Sequence, residues 1–180
     1  MKKILKLTFI LFLVCALTAG ILGVVNELTS ERIAEQTRIK TEKAYASVLA
    51  SDGYEEVEFD KAAFPSINSI NKCSNGAGYV VTTTFSGAQG NIKMAVGVDN
   101  DYKCTGISII SHSETSGLGA NAASSSEIGV NFRAQFVGQG EDIALKKSGG
   151  EIDALTGATI TSKQVTKATA TAIAAVESLG

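Results

Sequence analysis

A run of nineteen residues without a charge, Leu7 to Val25 (LTFILFLVCALTAGILGVV), constrains this chain more than any other feature. At a rise of about 1.5 Å per residue, such a helix is roughly 28 Å long, close to the thickness of a bilayer core. A cleaved signal peptide has a shorter apolar region, about 7–15 residues, and a small-x-small cleavage site. This run is longer and shows no convincing site of that kind, and Val14 stands before Cys15 where a lipoprotein signal has a small residue. The run therefore predicts a retained, single-pass transmembrane helix over 7–25. Lys2, Lys3 and Lys6 precede it, and Glu27, Glu31 and Glu35 are among the residues that follow. By the positive-inside rule, residues 1–6 lie in the cytoplasm and the rest of the chain lies on the extracytoplasmic side of the cell membrane. Ala16/Gly20 and Ala19/Gly23 would permit close packing on a partner helix, although small residues are also ordinary in membrane helices.

Residues 26–50 contain neither Gly nor Pro, and Ile33, Thr37, Lys40, Ala44 and Val48 recur at helical spacing. They predict a membrane-proximal helix, stopped by Ser51-Asp52-Gly53. Residues 51–180 are long enough for one domain with a core. YEEVEF, from Tyr54, alternates as a strand does. The stretch 60–76 carries the single proline, Pro65, and ends in turn residues. From Gly78 to His112 the apolar period is two, with turns at SGAQGN and DND, which predicts an antiparallel meander. The DNDYK turn lacks the glycine and distal glutamate of a calcium loop. Residues 113–126 read as a long loop without an element of its own. Ser124 and Glu127 suggest a capping box for a helix presenting Ile128, Phe132 and Phe136. EDIALKK and GGEI suggest a last hairpin, and Val165, Ala168, Ala172, Val176 and Leu179 a final helix over about 162–179. The fold class is α+β: an antiparallel sheet with helices packed on one side, preceded by the single N-terminal transmembrane helix.

A net charge of −2 and the lack of any basic stripe exclude a nucleic-acid partner. One histidine and no C-x-x-C give no support to a metal site. Cys73 and Cys104 are either plain apolar residues or, in an oxidising compartment, a disulfide.

DALTGATITS, residues 153–162, crowds four hydroxyls around a glycine just ahead of the last helix. Thr161 and Gln164 form a capping-box pattern, which makes Thr161 the expected N-cap and places Thr159 just upstream of the helix start. Unpaired amides and the positive end of the helix dipole attract a phosphate there. Gly157 and Ala158 leave room for a ligand to approach the backbone. A plain capped turn is the alternative that the residues alone leave open.

The segment DALTGATIT resembles the attachment motif of the FMN-binding domain family, in which Asp is followed, after two residues, by Ser/Thr-Gly-Ala-Thr-x-Thr. That family includes the G subunit of the Rnf complex and the C subunit of the sodium-translocating NADH:quinone reductase. The resemblance implies FMN joined covalently, through a phosphoester, to Thr159, with Thr156, Gly157, Ala158 and Thr161 around it. It also implies a separate flavin transferase, with FAD as donor and Mg²⁺ as helper, that recognises Asp153, Gly157 and Thr159. HSETSGLGAN is similar to the family's Glu-Thr-Pro-Gly-Leu-Gly loop beside the flavin. Glu114, Thr115, Gly117, Leu118 and Gly119 match, and Ser116 replaces the usual proline. Phe132, Phe136 and Gly138 fall at the family's aromatic helix. His112, next to that loop, reads as a structural histidine at a strand end.

The resemblance thus implies an extracytoplasmic FMN-binding domain over 51–180. Its function would be to relay electrons within an ion-translocating ferredoxin:NAD oxidoreductase of Rnf type, among other membrane subunits. No catalytic residue of its own is expected, because the flavin performs the redox step. The alternatives are a quinone-reductase C subunit, a stand-alone extracytoplasmic flavoprotein carrier and a tethered binding module without redox chemistry.

Overall fold

The computed structural model describes residues 2–180, with side chains from residue 3 onward. Residue 1 and the side chain of residue 2, both in the segment expected on the cytoplasmic side, lie outside the described residues. One unbroken helix, α1 (Lys2–Val48), takes in both the apolar run and the segment after it. The chain divides into two compact units, one ending at Ile39 and the other running Lys40–Gly180. In the first unit the helix is long and apolar enough to cross a membrane: an 18-residue window reaches a mean hydropathy of 2.6, and none of it is buried by protein.

The second unit is built on a five-stranded antiparallel sheet in sequential order. Its strands are β1 (Tyr54–Val57), β2 (Ile67–Cys73), β3 (Gly78–Ser86), β4 (Asn91–Asp99) and β5 (Cys104–His112). The meander β3–β5 and strand β1 follow the sequence reading. Strand β2 does not, because its phase is broken. A bulge between Ile67 and Ser69 shifts its register on β3, so Ile67 and Ile70 enter the same core at a spacing of three rather than two, while Cys73 faces the other side. The turn after β4 closes on itself: Oδ1 of Asp99 accepts from the amides of Asp101 and Lys103, both at 2.9 Å.

Helices cover both faces of the sheet, not one side as expected. One face packs under α2 (Glu127–Ala134) and α3 (Thr159–Glu177), with Val81, Met94, Val96, Phe132, Phe136, Val165 and Ala172 in a shared core. The other receives the last turns of α1, where Ala44 and Val48 pack on Val80, Ala95 and Ile110. Only these last turns of the expected stripe are buried, and Ile33 is exposed. The close approach is possible because Gly97 has no side chain; a Cβ there would lie 2.7 Å from the Val48 carbonyl oxygen. Thr105 Oγ1 donates to that same carbonyl at 2.6 Å, and the Tyr45 hydroxyl meets Thr82 Oγ1 at 2.7 Å.

This two-faced arrangement settles the cysteine question. Cys73 belongs to the core under α1 and Cys104 to the core under α3, with β3 and β4 between their strands. Three strand spacings of about 4.8 Å separate them by roughly 14 Å, twice the reach of a disulfide. All three cysteines are free, and burial pushes the Cys104 thiol up to about 12.

Four local expectations are corrected. Residues 141–152 form no hairpin: Leu145 and Ile152 make a parallel bridge around a short 3₁₀ turn, Lys146–Ser148. The long loop holds a 3₁₀ element, Gly119–Ala123. Helix α2 is capped by Ser126, whose side chain accepts from Gly129 N–H, because Ser124 Oγ is engaged by Asn121 O and Ser126. Ile128 on α2 is exposed, whereas Phe132 and Phe136 are buried edge to face.

Candidate functional site

Three chain segments meet at the start of α3. The first is the hairpin turn between β3 and β4, closed by Gly87 N–H to Gly90 O at 2.7 Å. The second is the loop after β5, where the Thr115 carbonyl accepts from the amides of Leu118 and Ala120. The third is the turn before α3, where Ala158 N–H donates to Leu155 O at 3.0 Å. Together they line a cleft of about 300 Å³ with Ala88, Gln89, Glu114, Thr115, Leu118, Gly119 and Gly157 through Thr161. A second cleft, of about 370 Å³, lies beside Lys146, Lys147, Asp153, Ala154, Thr156, Gly157 and Thr159. Gly157 and Thr159 belong to both. A larger cleft of about 490 Å³ near Glu56 and Lys61 shares no residue with either.

The four hydroxyls of 153–162 have different surroundings. Helix α3 begins at Thr159 with Ala158 as its N-cap and no side-chain cap, so the expected N-cap role of Thr161 is not realised. Thr161 lies inside the first turn, fully buried, and its hydroxyl donates to Oε2 of Glu114 at 2.5 Å. Ser162 is also buried: its Oγ donates to Ala158 O and accepts from Leu155 N–H, both at 2.9 Å. Thr156 and Thr159 are exposed. The first backbone bond of α3 is Ser162 N–H to Ala158 O, 2.9 Å, which leaves the amides of Thr159, Ile160 and Thr161 without intrahelical partners. Gly157 takes φ +73°, and a side chain on it would meet Leu118 Cδ2 at 2.9 Å.

Glu114 is buried, and its carboxylate binds protein. Oε1 accepts from the amides of Ala88 (2.9 Å) and Gln89 (3.0 Å), while Oε2 takes the Thr161 hydroxyl. Burial pushes its pKa up, but these hydrogen bonds, with one from Gly90, outweigh that and hold the carboxyl below its ordinary value. Leu118 (44% exposed) and Ile160 (61%) leave apolar surface open at the cleft. Asp153 stands at the second cleft, exposed and ion-paired with Lys146 at 2.5 Å. Its backbone is held by the Gln135 side chain, whose Oε1 accepts from Asp153 N–H at 2.7 Å. His112 is exposed and its Nδ1 accepts from Glu114 N–H at 3.3 Å, a local structural contact.

The structure therefore brings Glu114, Thr115, Leu118, Gly119, Gly157, Ala158, Thr159 and Thr161 to one cleft, and puts Asp153 and Thr156 at its neighbour. Sequence reasoning missed Ala88, Gln89 and Ile160. It also missed Arg133, whose Nη1 donates to the carbonyls of Ala122 (2.7 Å) and Ser124 (2.9 Å) and so pins the cleft loop to α2. Turn residues and an arginine in the last turn of a helix carry no local mark of such contacts. A phosphate-bearing aromatic cofactor fits the donor set: unpaired amides and a glycine at one end, and open apolar side chains at the other.

Comparison with known proteins agrees with this chemistry. The FMN-binding domain model matches residues 87–174, a range that holds all three cleft segments. The RnfG N-terminal region model matches residues 1–48. The G subunit of the ion-translocating oxidoreductase complex of Methanosarcina acetivorans is 31% identical, over 96% of this chain and 94% of its own length. The G subunit of the proton-translocating ferredoxin:NAD(+) oxidoreductase complex of Clostridium ljungdahlii is 34% identical, over 92% and 88%. Its Na(+)-translocating counterpart from Acetobacterium woodii is 34% identical, over 92% and 87%. A solved structure, that of the C subunit of the Na(+)-translocating NADH-quinone reductase of Parabacteroides distasonis, overlaps with a TM-score of 0.49 at 20% identity, covering 76% of this chain and 80% of that one.

Proposed function

The chain belongs to the FMN-binding domain family, among the G subunits of ion-translocating oxidoreductase complexes, and we propose that it is a flavoprotein bearing FMN on Thr159 and relaying electrons within such a complex. The observation that carries this reading is the contrast among the hydroxyls. Thr159 is exposed on the first turn of α3 at the seam of two clefts, while Thr161 and Ser162 are buried and hydrogen-bonded.

The chain's own residues account for placement. The amides of Thr159, Ile160 and Thr161 face the phosphate position, and the bare Gly157 lets it lie against the backbone. Leu118, Ile160 and Ala88 offer an apolar wall to the ring. FMN, when bound, supplies reversible electron transfer, so no acid or base of the protein is needed for the redox step. A threonine hydroxyl is a weak nucleophile without an adjacent base. Of the two carboxylates lining its clefts, Glu114 is held by its hydrogen bonds to Ala88, Gln89 and Thr161, and Asp153 is ion-paired with Lys146. Attachment is therefore assigned to a separate flavin transferase, which uses FAD and Mg²⁺ and reads the exposed Asp153, Gly157 and Thr159. The Thr159 Oγ–P bond forms as the anhydride of FAD breaks, AMP leaves, and the hydroxyl proton is lost.

The apolar part of α1 anchors the protein in the membrane. The lysines before the span favour a cytoplasmic N-terminus and an extracytoplasmic FMN domain, where a diffusible cofactor would be lost. The match over residues 1–48 favours an Rnf-type G subunit over the quinone-reductase alternative. Fluorescence of the denatured band on a gel tests the attachment. The chain made with a flavin transferase is expected to glow, and Thr159→Ala to be dark while its melting temperature stays within about 2 °C, as for an exposed site. A Thr159→Ala band that still glows, with Thr156→Ala dark, moves the attachment to Thr156.

A further inference from the structure

The carboxylate of Glu114 connects segments that lie far apart in the chain. Its Oε1 holds the amides of Ala88 and Gln89 in the β3–β4 turn, and its Oε2 holds Thr161 in α3, 47 residues away. The backbone is shaped around it. A Cβ on Gly87 would lie 2.3 Å from Oε1, and a Cβ on Gly119 would lie 2.3 Å from Oε2 and 2.6 Å from Thr161 Oγ1. Two glycines from different segments thus leave the space that this carboxylate occupies. Its contacts are all to protein, and each ties down a segment that lines the cleft.

We infer that Glu114 is a positioning residue, which assembles the cofactor cleft before any cofactor arrives by clamping the hairpin turn and the first turn of α3 onto its own loop. The clamp is a property of the cofactor-free chain. Its relevance to attachment rests on the reading of Thr159 given above. Without the clamp, Gly157 through Thr159 would lose their fixed relation to Leu118 and Ala88, and the acceptor hydroxyl would be presented in many geometries instead of one.

Amide hydrogen exchange on the full chain, made without a flavin transferase and held in detergent micelles, tests the clamp. In Glu114→Ala the amides of Ala88 and Gln89, and those of Ser162 to Val165, are expected to exchange about tenfold faster, as for loss of one or two hydrogen bonds. Amides of β4 are expected to stay at the native rate. Glu114→Gln keeps an oxygen for the two turn amides and is expected to restore most of their protection. Thr161→Val cuts only the α3 side, so exchange should rise at Ser162 to Val165 and not at Ala88 and Gln89. That split stands in for Glu114→Ala should the latter fail to fold. Native rates at both segments in Glu114→Ala, or equal loosening of both in Thr161→Val, overturn the proposal.

Labelling with transferase, FAD and Mg²⁺ adds the functional arm. Flavin uptake is expected to be several-fold slower in Glu114→Ala than in Glu114→Gln, and equal rates overturn the link to attachment. A native chain that takes up no flavin sinks the proposed function instead, and leaves the exchange result standing.

Discussion

Helices α1 and α3 are both rich in small and apolar residues, yet they have opposite surroundings. In the first unit, α1 presents Phe9, Phe12, Leu17 and Leu22 in several directions, and the protein covers none of them. Helix α3 buries Val165, Ala168, Thr169, Ala172 and Val176 against the sheet and leaves Lys163, Lys167 and Glu177 exposed. An apolar stripe needs a sheet, and an apolar cylinder needs a different solvent. The site sits at the start of α3 because a helix packed along its length holds its first turn in place.

Removing residues 1–39 puts the comparison under its harshest test. Both cores lie within Lys40–Gly180. The shortened chain is expected to move completely from the membrane fraction to the aqueous one while keeping its cooperative melt. Aggregation or loss of the transition would mean that the first helix supports the domain. A smaller effect separates the helices residue by residue. Ala172 is fully buried, so Ala172→Leu should overpack the core at a cost of about 1–3 kcal/mol, lowering the melting temperature by roughly 2–10 °C. The same exchange at Ala16, exposed on α1, should leave the domain's melting temperature unchanged. Equal shifts from the two variants would show that the helices are not distinct in this sense.

The sequence reading succeeded where one short window holds the physics. The charge-free run, the stripe Val165–Ala168–Ala172–Val176 and the period-two strands β3–β5 are each visible within about twenty residues. It failed where a distant contact overrides a local pattern. Thr161 looked like an N-cap because Gln164 follows it at the right spacing, but Glu114 takes its hydroxyl from 47 residues away. Strand β2 was missed because its bulge converts alternation into a spacing of three. A face of the sheet that looked uncovered is filled by the end of α1, where Val48 lies over Gly97 and Gly106. At the site, the motif residues were legible. Ala88 and Gln89 were not, since they take part through backbone amides, which carry no side-chain signature.

The smallest predicted effect concerns charge, and it belongs to the α3 end alone. Hydrogen bonds from Thr161 and from the amides of Gln89, Ala88 and Gly90 outweigh burial and hold the Glu114 carboxyl below its ordinary value of 4.5. A carboxyl whose pKa is lower folded than unfolded stabilises the fold fully above the unfolded value, and that stability is lost as pH falls through the folded one. Glu114→Gln cannot contribute in this way. It is expected to melt a few degrees below the native chain at pH 7, in line with about 1 kcal/mol for weakened hydrogen bonding. As pH is lowered below the ordinary carboxyl value the gap should close, because the native chain alone loses the linked stability. The chain lacking residues 1–39 should show the native acid response, since Glu114 and all its partners lie in the second unit. Melting curves that stay parallel for Glu114→Gln and the native chain at every acid pH where both still fold would mean that the clamp does not titrate with the fold.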